Sequence, residues 1–117
     1  MISKKHRFIQ NMNYMEIIIS TLNFKTDTTL ETFVREKVSK LFNQCKTIIR
    51  ANVILREGEN GNLENKQCEI RLMIPGNDHF VKKSTGGYEK SVSQAVEVLQ
   101  KILRRKKSKV IAKRHSN

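Results

Sequence analysis

Tryptophan is missing from the 117 residues, proline occurs once, cysteine twice, and Asp+Glu number only 11. Each scarcity removes a class of protein. Cys45 and Cys68 stand alone, with no CxxC or Cys/His cluster beside them, so neither a disulfide scaffold nor a zinc site is written here, and both are expected to be reduced thiols in the core. No HxxxH or HExxH spacing occurs, and His6, His79 and His115 are scattered without a serine or cysteine placed as a nucleophile. With no clustered acids and no placed general base, a small metal-dependent nuclease lacks its carboxylates. Gly86-Gly87 and the GENG loop fit no Walker or dinucleotide fingerprint. No enzyme, cofactor or metal is therefore expected. No apolar run exceeds three residues, as in Ile17 to Ile19 and Val53 to Leu55, where a membrane span needs roughly 18 or more. Among the 5 Phe and 2 Tyr, Phe33 and Phe42 fall on a helical apolar stripe, and no aromatic platform for stacking single-stranded bases is evident.

What is present is a modest core and a large positive surplus. Hydrophobic residues make up 38% and charged residues 29%. One domain is expected, because folding a chain this long leaves roughly 6,600 Å² exposed out of about 19,700 Å². Residues 1–14 show no periodicity and, with Met12 and Met15 both present, read as a flexible extension or an artefact of start-codon choice, basic but without the apolar stretch of an export signal. A cytoplasmic location is the expectation.

Met15 to Phe24, MEIIISTLNF, is rich in β-branched residues and reads as a strand. Asp27, or a box of Thr28 with Glu31, then caps a helix. In it Leu30, Phe33, Val34, Val38, Leu41, Phe42 and Cys45 form one inward stripe of period 3.6. Arg35, Lys37, Lys40 and Lys46 fall outside that stripe. Ile48 to Glu57 has strand composition and ends in the hairpin loop GENGN, from which QCEIRLMIP returns. Cys68, Ile70, Leu72 and Ile74 alternate with Gln67, Glu69, Arg71 and Met73, so one face of the sheet is wet or meets a ligand. After Pro75, Gly76 and Asn77, HFVKKS reads as a fourth strand. Tyr88, Val92, Ala95, Val96, Leu99 and Leu103 give a second helix, which projects past the core before fraying. The order β-α-β-β-β-α predicts an α+β fold: a four-stranded, mainly antiparallel sheet with both helices on one face. Residues 15–109 would form the domain and 110–117 a basic tail.

The formal net charge is +12. Lys82 to Arg114 holds 11 Lys+Arg against Glu89 and Glu97, a surplus of 11 − 2 = 9. Cations at a helix C-terminus are favourable by about 0.3–1 kcal/mol each. Lys101, Arg104, Arg105, Lys106, Lys107 and Lys109 exceed what a helix end needs, so nucleic-acid phosphates are the expected partner. Lys37 and Lys40 share a helix face, for which plain solvation is as good an account as contact. Lys82 and Lys83 are adjacent on a strand, so only one can face outward and the other sits at an edge or sheet end.

These stretches together resemble the ribosome hibernation-promoting factor family, also called the ribosome-associated inhibitor or sigma-54 modulation family. The resemblance runs from Met15 to about Lys109 and is carried by MEIIIS, TLETFVREKVSKL with its EKxxKL core, ANVILRE, NKQCEIRLMIP, FVKK and YEKSVSQAVEVLQKILRRKKSK. It implies a fold similar to the double-stranded RNA-binding domain. It also implies binding to ribosomal RNA and neighbouring proteins in the mRNA and tRNA channel of the small subunit, which keeps idle ribosomes inactive in stationary phase or stress. By the same resemblance Lys37 and Lys40 match basic positions of the first helix, and Lys82, Lys83, Arg104, Arg105 and Lys107 match or neighbour positions facing ribosomal RNA. The chain departs from the family where Gly87 and Ser93 replace two acids at the start of the second helix, the aromatic falling at Tyr88. Eight residues follow Lys109, whereas long members carry a ribosome-pairing domain there. The chain thus resembles the short type, expected to be monomeric off the ribosome and to need a separate modulation factor to dimerise ribosomes. A non-ribosomal double-stranded RNA-binding module is the alternative that the same fold and charge allow.

Overall fold

The computed structural model describes residues 16–22, 24–58 and 63–115, with side chains through Arg105. Six elements follow in the expected order: β1 (Ile17–Leu22), α1 (Thr28–Gln44), β2 (Arg50–Glu57), β3 (Lys66–Met73), β4 (His79–Thr85) and α2 (Tyr88–His115). The extension 1–14 and the loop residues Asn60, Gly61 and Asn62 lie outside the described residues, as do the side chains of Lys106, Lys107 and Lys109.

β1 and β2 pair in parallel, Ile17 opposite Ala51. A parallel pair needs a long crossover, and α1 is that crossover. β2, β3 and β4 then run antiparallel, giving the strand order β1-β2-β3-β4. The period of two along each strand sorts the side chains: Ala51, Val53, Leu55, Cys68, Ile70, Leu72 and Val81 are buried on one face. The stripes of both helices close that face, with Val34, Val38 and Leu41 from α1 and Val92, Ala95 and Leu99 from α2 all fully buried. α2 packs on β3, β4 and α1.

Local chemistry fixes the joints. At the start of α1 Asp27 prevails over the Thr28 and Glu31 box: the Leu30 amide donates to Asp27 Oδ1 at 2.8 Å. Asp27→Ala is expected to cost about 1 kcal/mol, seen as a lower urea midpoint at unchanged m-value. Between β3 and β4, Pro75 and Gly76 occupy the centre of a turn closed by the Asn77 amide on the Ile74 carbonyl at 3.0 Å. Gly76 has φ 87°, the left-handed position that a proline-led turn of this kind reserves for glycine.

Three features differ from the sequence expectation. The backbone stays helical through His115, so residues 110–115 continue α2 rather than forming a separate tail. Cys45 is only half-buried: as the C-cap of α1 its Sγ lies 3.3 Å from Thr47 Oγ1, at the rim of the core. The junction of β4 and α2 also hides a polar node. Buried Ser91 donates to the Lys66 carbonyl at 2.6 Å, and its hydroxyl lies 2.7 Å from Thr85 Oγ1, which accepts from the Gly87 amide at 3.2 Å.

Cys68 is fully buried in the sheet. Burial, and secondarily the Glu69 charge, push its thiol from 9.0 up to about 12. The sign follows from linkage: the unfolded thiol ionises first, so the stability this group secures is whole below about pH 9 and is lost as pH rises toward about 12. Urea unfolding from pH 8 to pH 10.5 should therefore show a decline that Cys68→Ala flattens. In the native protein a thiol reagent should label Cys45 well before Cys68.

Candidate nucleic-acid interface

The two helices lie side by side on the sheet and leave a groove between them. Lys37 and Lys40 of α1 and Lys90, Ser93, Glu97 and Gln100 of α2 line a cavity of about 210 Å³ there. The Gln44 carboxamide donates to the Gln100 carbonyl at 2.9 Å, which ties the end of α1 to the middle of α2. The ammonium of Lys37 lies 5.5 Å from the centre of the Phe33 ring. That contact holds its charge at the groove.

The sequence does not single out Lys90. It sits ahead of the basic run, next to Glu89, where charge density gives no signal. Helical phase does: Lys90, Lys101 and Arg105 are spaced by 11 and 15 residues, close to whole turns of a 3.6-residue helix. They share the outer face of α2, opposite buried Val92, Leu99 and Leu103. Lys101, Arg104 and Arg105 are exposed. The backbone carrying Lys106, Lys107 and Lys109 continues the same helix.

Lys82 and Lys83 do not join this cluster as a pair. β4 is an edge strand, and its residues alternate between faces. Lys82 is exposed on the face away from the helices, 4.0 Å from Glu69. Lys83 lies on the helix side beside buried Val81 and Thr85, half-buried at the sheet rim. Lysines on an exposed edge also block pairing with another strand.

Charge compensation is more complete on the strands than on the helices, although Arg71 and Lys83 reach no carboxylate. On the sheet, Arg50 reaches Glu16 at 3.0 Å, Arg56 reaches Glu69 at 3.4 Å, and Lys66 reaches Glu57 at 3.2 Å. On the helices, Lys37, Lys40, Lys90, Lys101, Arg104 and Arg105 make no ion pair with any described residue. Six uncompensated cations on one layer repel one another unless anions settle among them.

Tyr88 opens α2 with its ring stacked on Phe24, centroids 4.4 Å apart and planes 13° from parallel. Burial and then the Glu57 charge raise its hydroxyl above the ordinary 10.0. This is an anchor for the helix start, in a separate cavity that Gly87 and the first turn of α1 also line. Among the described residues no group of three or more His, Cys, Asp or Glu could hold a metal ion, and no helix is long and apolar enough to cross a membrane.

Comparison with known proteins adds a family. The model described as sigma 54 modulation protein / S30EA ribosomal protein matches residues 17–111. Among solved structures, the chain is similar to the N-terminal domain of Protein Y from Thermus thermophilus, at 19% identity and a TM-score of 0.64, covering 78% of this chain and 96% of that one. It is also similar to a ribosomal subunit interface protein from Coxiella burnetii, at 15% identity and a TM-score of 0.69, covering 79% and 97% respectively. At these identities the structures show a shared fold. A search among curated proteins found no match.

Proposed function

The chain belongs to the sigma 54 modulation protein / S30EA ribosomal protein family, and from that premise we propose that it is a ribosome-binding inhibitor of translation. The groove cations Lys37, Lys40 and Lys90 and the outer-face cations Lys101, Arg104 and Arg105 hold ribosomal RNA phosphates, with Lys106, Lys107 and Lys109 extending the contact. The protein occupies the mRNA and tRNA channel of the small subunit and silences idle ribosomes in stationary phase or stress. It acts in the cytoplasm as a monomer and works by exclusion, without bond chemistry. A separate modulation factor would supply any pairing of ribosomes.

The observation that carries this reading is the asymmetry of compensation: four of the six strand cations, Arg50, Arg56, Lys66 and Lys82, have a carboxylate within 4.0 Å, Arg71 and Lys83 being the exceptions, and none of the seven described helix cations has one. Phosphates neutralise such a surface and release their counterions, which makes binding steeply salt-dependent. The test is co-sedimentation with purified small subunits, bare or loaded with mRNA and initiator tRNA. Binding to bare subunits and exclusion from loaded ones is expected. Equal binding to both contradicts occupancy of the channel. A plain RNA duplex that competes as well as the subunit would favour the general double-stranded RNA-binding module.

A further inference from the structure

Both helices cover one face of the sheet, and among the described residues nothing covers the other. One row of direct register partners crosses all four strands on that open face: Ile18, Asn52, Arg71 and Phe80. At about 4.8 Å per strand the row spans roughly 14 Å. Phe80 is 49% exposed. The Arg71 guanidinium lies over its ring at 5.1 Å from the centroid. Ser20, Ile54 and Glu69 in the next row, with Val53, line a shallow cavity of about 230 Å³ together with these residues, and the Glu69 carboxylate there is paired with Arg56 and Lys82.

We propose that this face is a second RNA-contact site, which takes one unpaired nucleobase of a single strand against the Phe80 and Arg71 pair. Four properties support this. An exposed aromatic and a guanidinium plane are the two surfaces on which unpaired bases stack. Arg71 is the one cation of the open face that reaches no carboxylate, since Arg50, Arg56 and Lys82 all do. Its N–H edge is thus available to a phosphate or a base acceptor. Asn52, beside it, makes only a 3.9 Å contact to Met73 Sδ, so its carboxamide can bond a base edge. The cavity is below the roughly 300–1,000 Å³ of a drug-sized pocket and suits a single planar ring.

The charge of the face selects RNA over protein. Around the cavity stand Arg50, Arg56, Arg71 and Lys82 against Glu16 and Glu69, a surplus of 4 − 2 = 2. The apolar side chains Ile18, Ile54 and Phe80 are separated by Asn52, Arg71 and Ser20 rather than joined in the continuous apolar centre of a stable protein interface. A duplex offers no free base, so the site prefers single strands, in contrast to the phosphate-reading helices on the opposite side.

The absence of tryptophan makes the test direct, because Phe80→Trp installs the protein's single indole on the proposed stacking surface. Titration of this variant with a mixed-sequence single-stranded RNA hexanucleotide should quench its fluorescence saturably. A blunt RNA duplex and a free mononucleotide should each need at least tenfold higher concentration. In the otherwise wild-type chain, Phe80→Ala should weaken hexanucleotide binding about tenfold or more, in line with the loss of one base stack, and Phe80→Tyr should restore it. Lys37→Gln with Lys40→Gln and Lys90→Gln should leave the quench amplitude intact, so failure of this site and failure of the helical groove are separable. No quench, an equal quench by duplex or mononucleotide, or quenching that instead tracks self-association in sedimentation overturns the proposal.

Discussion

Replacing Lys37, Lys40 and Lys90 together by glutamine is expected to reduce affinity for the small ribosomal subunit by about fifty- to two-hundred-fold near physiological salt, with the thermal midpoint almost unmoved. The size follows from counterion release: each lost phosphate contact removes about 0.7–0.9 from the slope of log K against log salt, so three contacts remove roughly 2.1–2.7. Extrapolated from about 1 M salt, where this contribution vanishes, to about 0.15 M, that slope difference becomes a factor of roughly 10^1.7 to 10^2.2. Stability should change by about 0.5 kcal/mol or less, since the three lysines make no ion pair with a described residue and line an open groove. The measurement is sedimentation binding at four or more salt concentrations, beside a melting curve. A parallel shift of the log-log line with unchanged slope would mean that the lysines act through something other than phosphate contact.

The fold was legible because its two periodicities are clean where burial is complete. Val34, Val38 and Leu41, then Val92, Leu99 and Leu103, are all buried as a 3.6-residue stripe demands, and Cys68, Ile70 and Leu72 as a period of two demands. Legibility fails where an element meets solvent on both sides. On edge strand β4 an aromatic, Phe80, lies on the open face and a lysine, Lys83, on the helix face, so hydrophobicity alone could not tell which face was inward. The exposed ring over Arg71 is hidden in the sequence for the same reason: neither residue is unusual until the register places them opposite each other. Cys45 continues the stripe of α1 and so reads as core, but the helix ends there and its side chain sits at the rim. Ser91 and Thr85 look like ordinary surface hydroxyls in sequence. Burial becomes tolerable only because the Lys66 carbonyl and the Gly87 amide are brought to them by the turn into α2.

The candidate groove shows the same division between what is local and what is not. Lys37 and Lys40 are three residues apart and share a face by helical geometry alone. Lys90 joins them only through the packing of α2 against α1, a contact encoded by the apolar stripes and not by any charge pattern. The density of Lys101, Arg104 and Arg105 is visible in sequence, but density does not reveal whether carboxylates elsewhere absorb it. The geometry supplies that distinction: the neighbouring acid of the groove, Glu97, lines it without coming within ion-pair distance of its lysines.

Leu99→Ala should produce the opposite signature, a large loss of stability with binding by the folded protein retained. Leu99 is fully buried on the face of α2 that packs on the sheet and on α1. Removing its isobutyl group loses the transfer free energy and leaves a cavity that the rigid sheet cannot collapse into, for a cost of about 2–5 kcal/mol. For a domain of about 100 residues this lowers the thermal midpoint by roughly 10–25 °C. Because Lys90 and Lys101 stand on the outer face of the same helix, the variant at low temperature still presents every groove and outer-face cation. Affinity measured at 10–15 °C, where circular dichroism shows the variant to be folded, should lie within about twofold of the parent, and the salt slope should match. Paired with the triple glutamine variant, this separates the two duties of α2: its inner stripe holds the fold and its outer face holds the charge. If Leu99→Ala, demonstrably folded, lost affinity as steeply as the lysine variant, the cations could not be the source of binding, and the assignment of the helical layer as the RNA-contacting surface would fall.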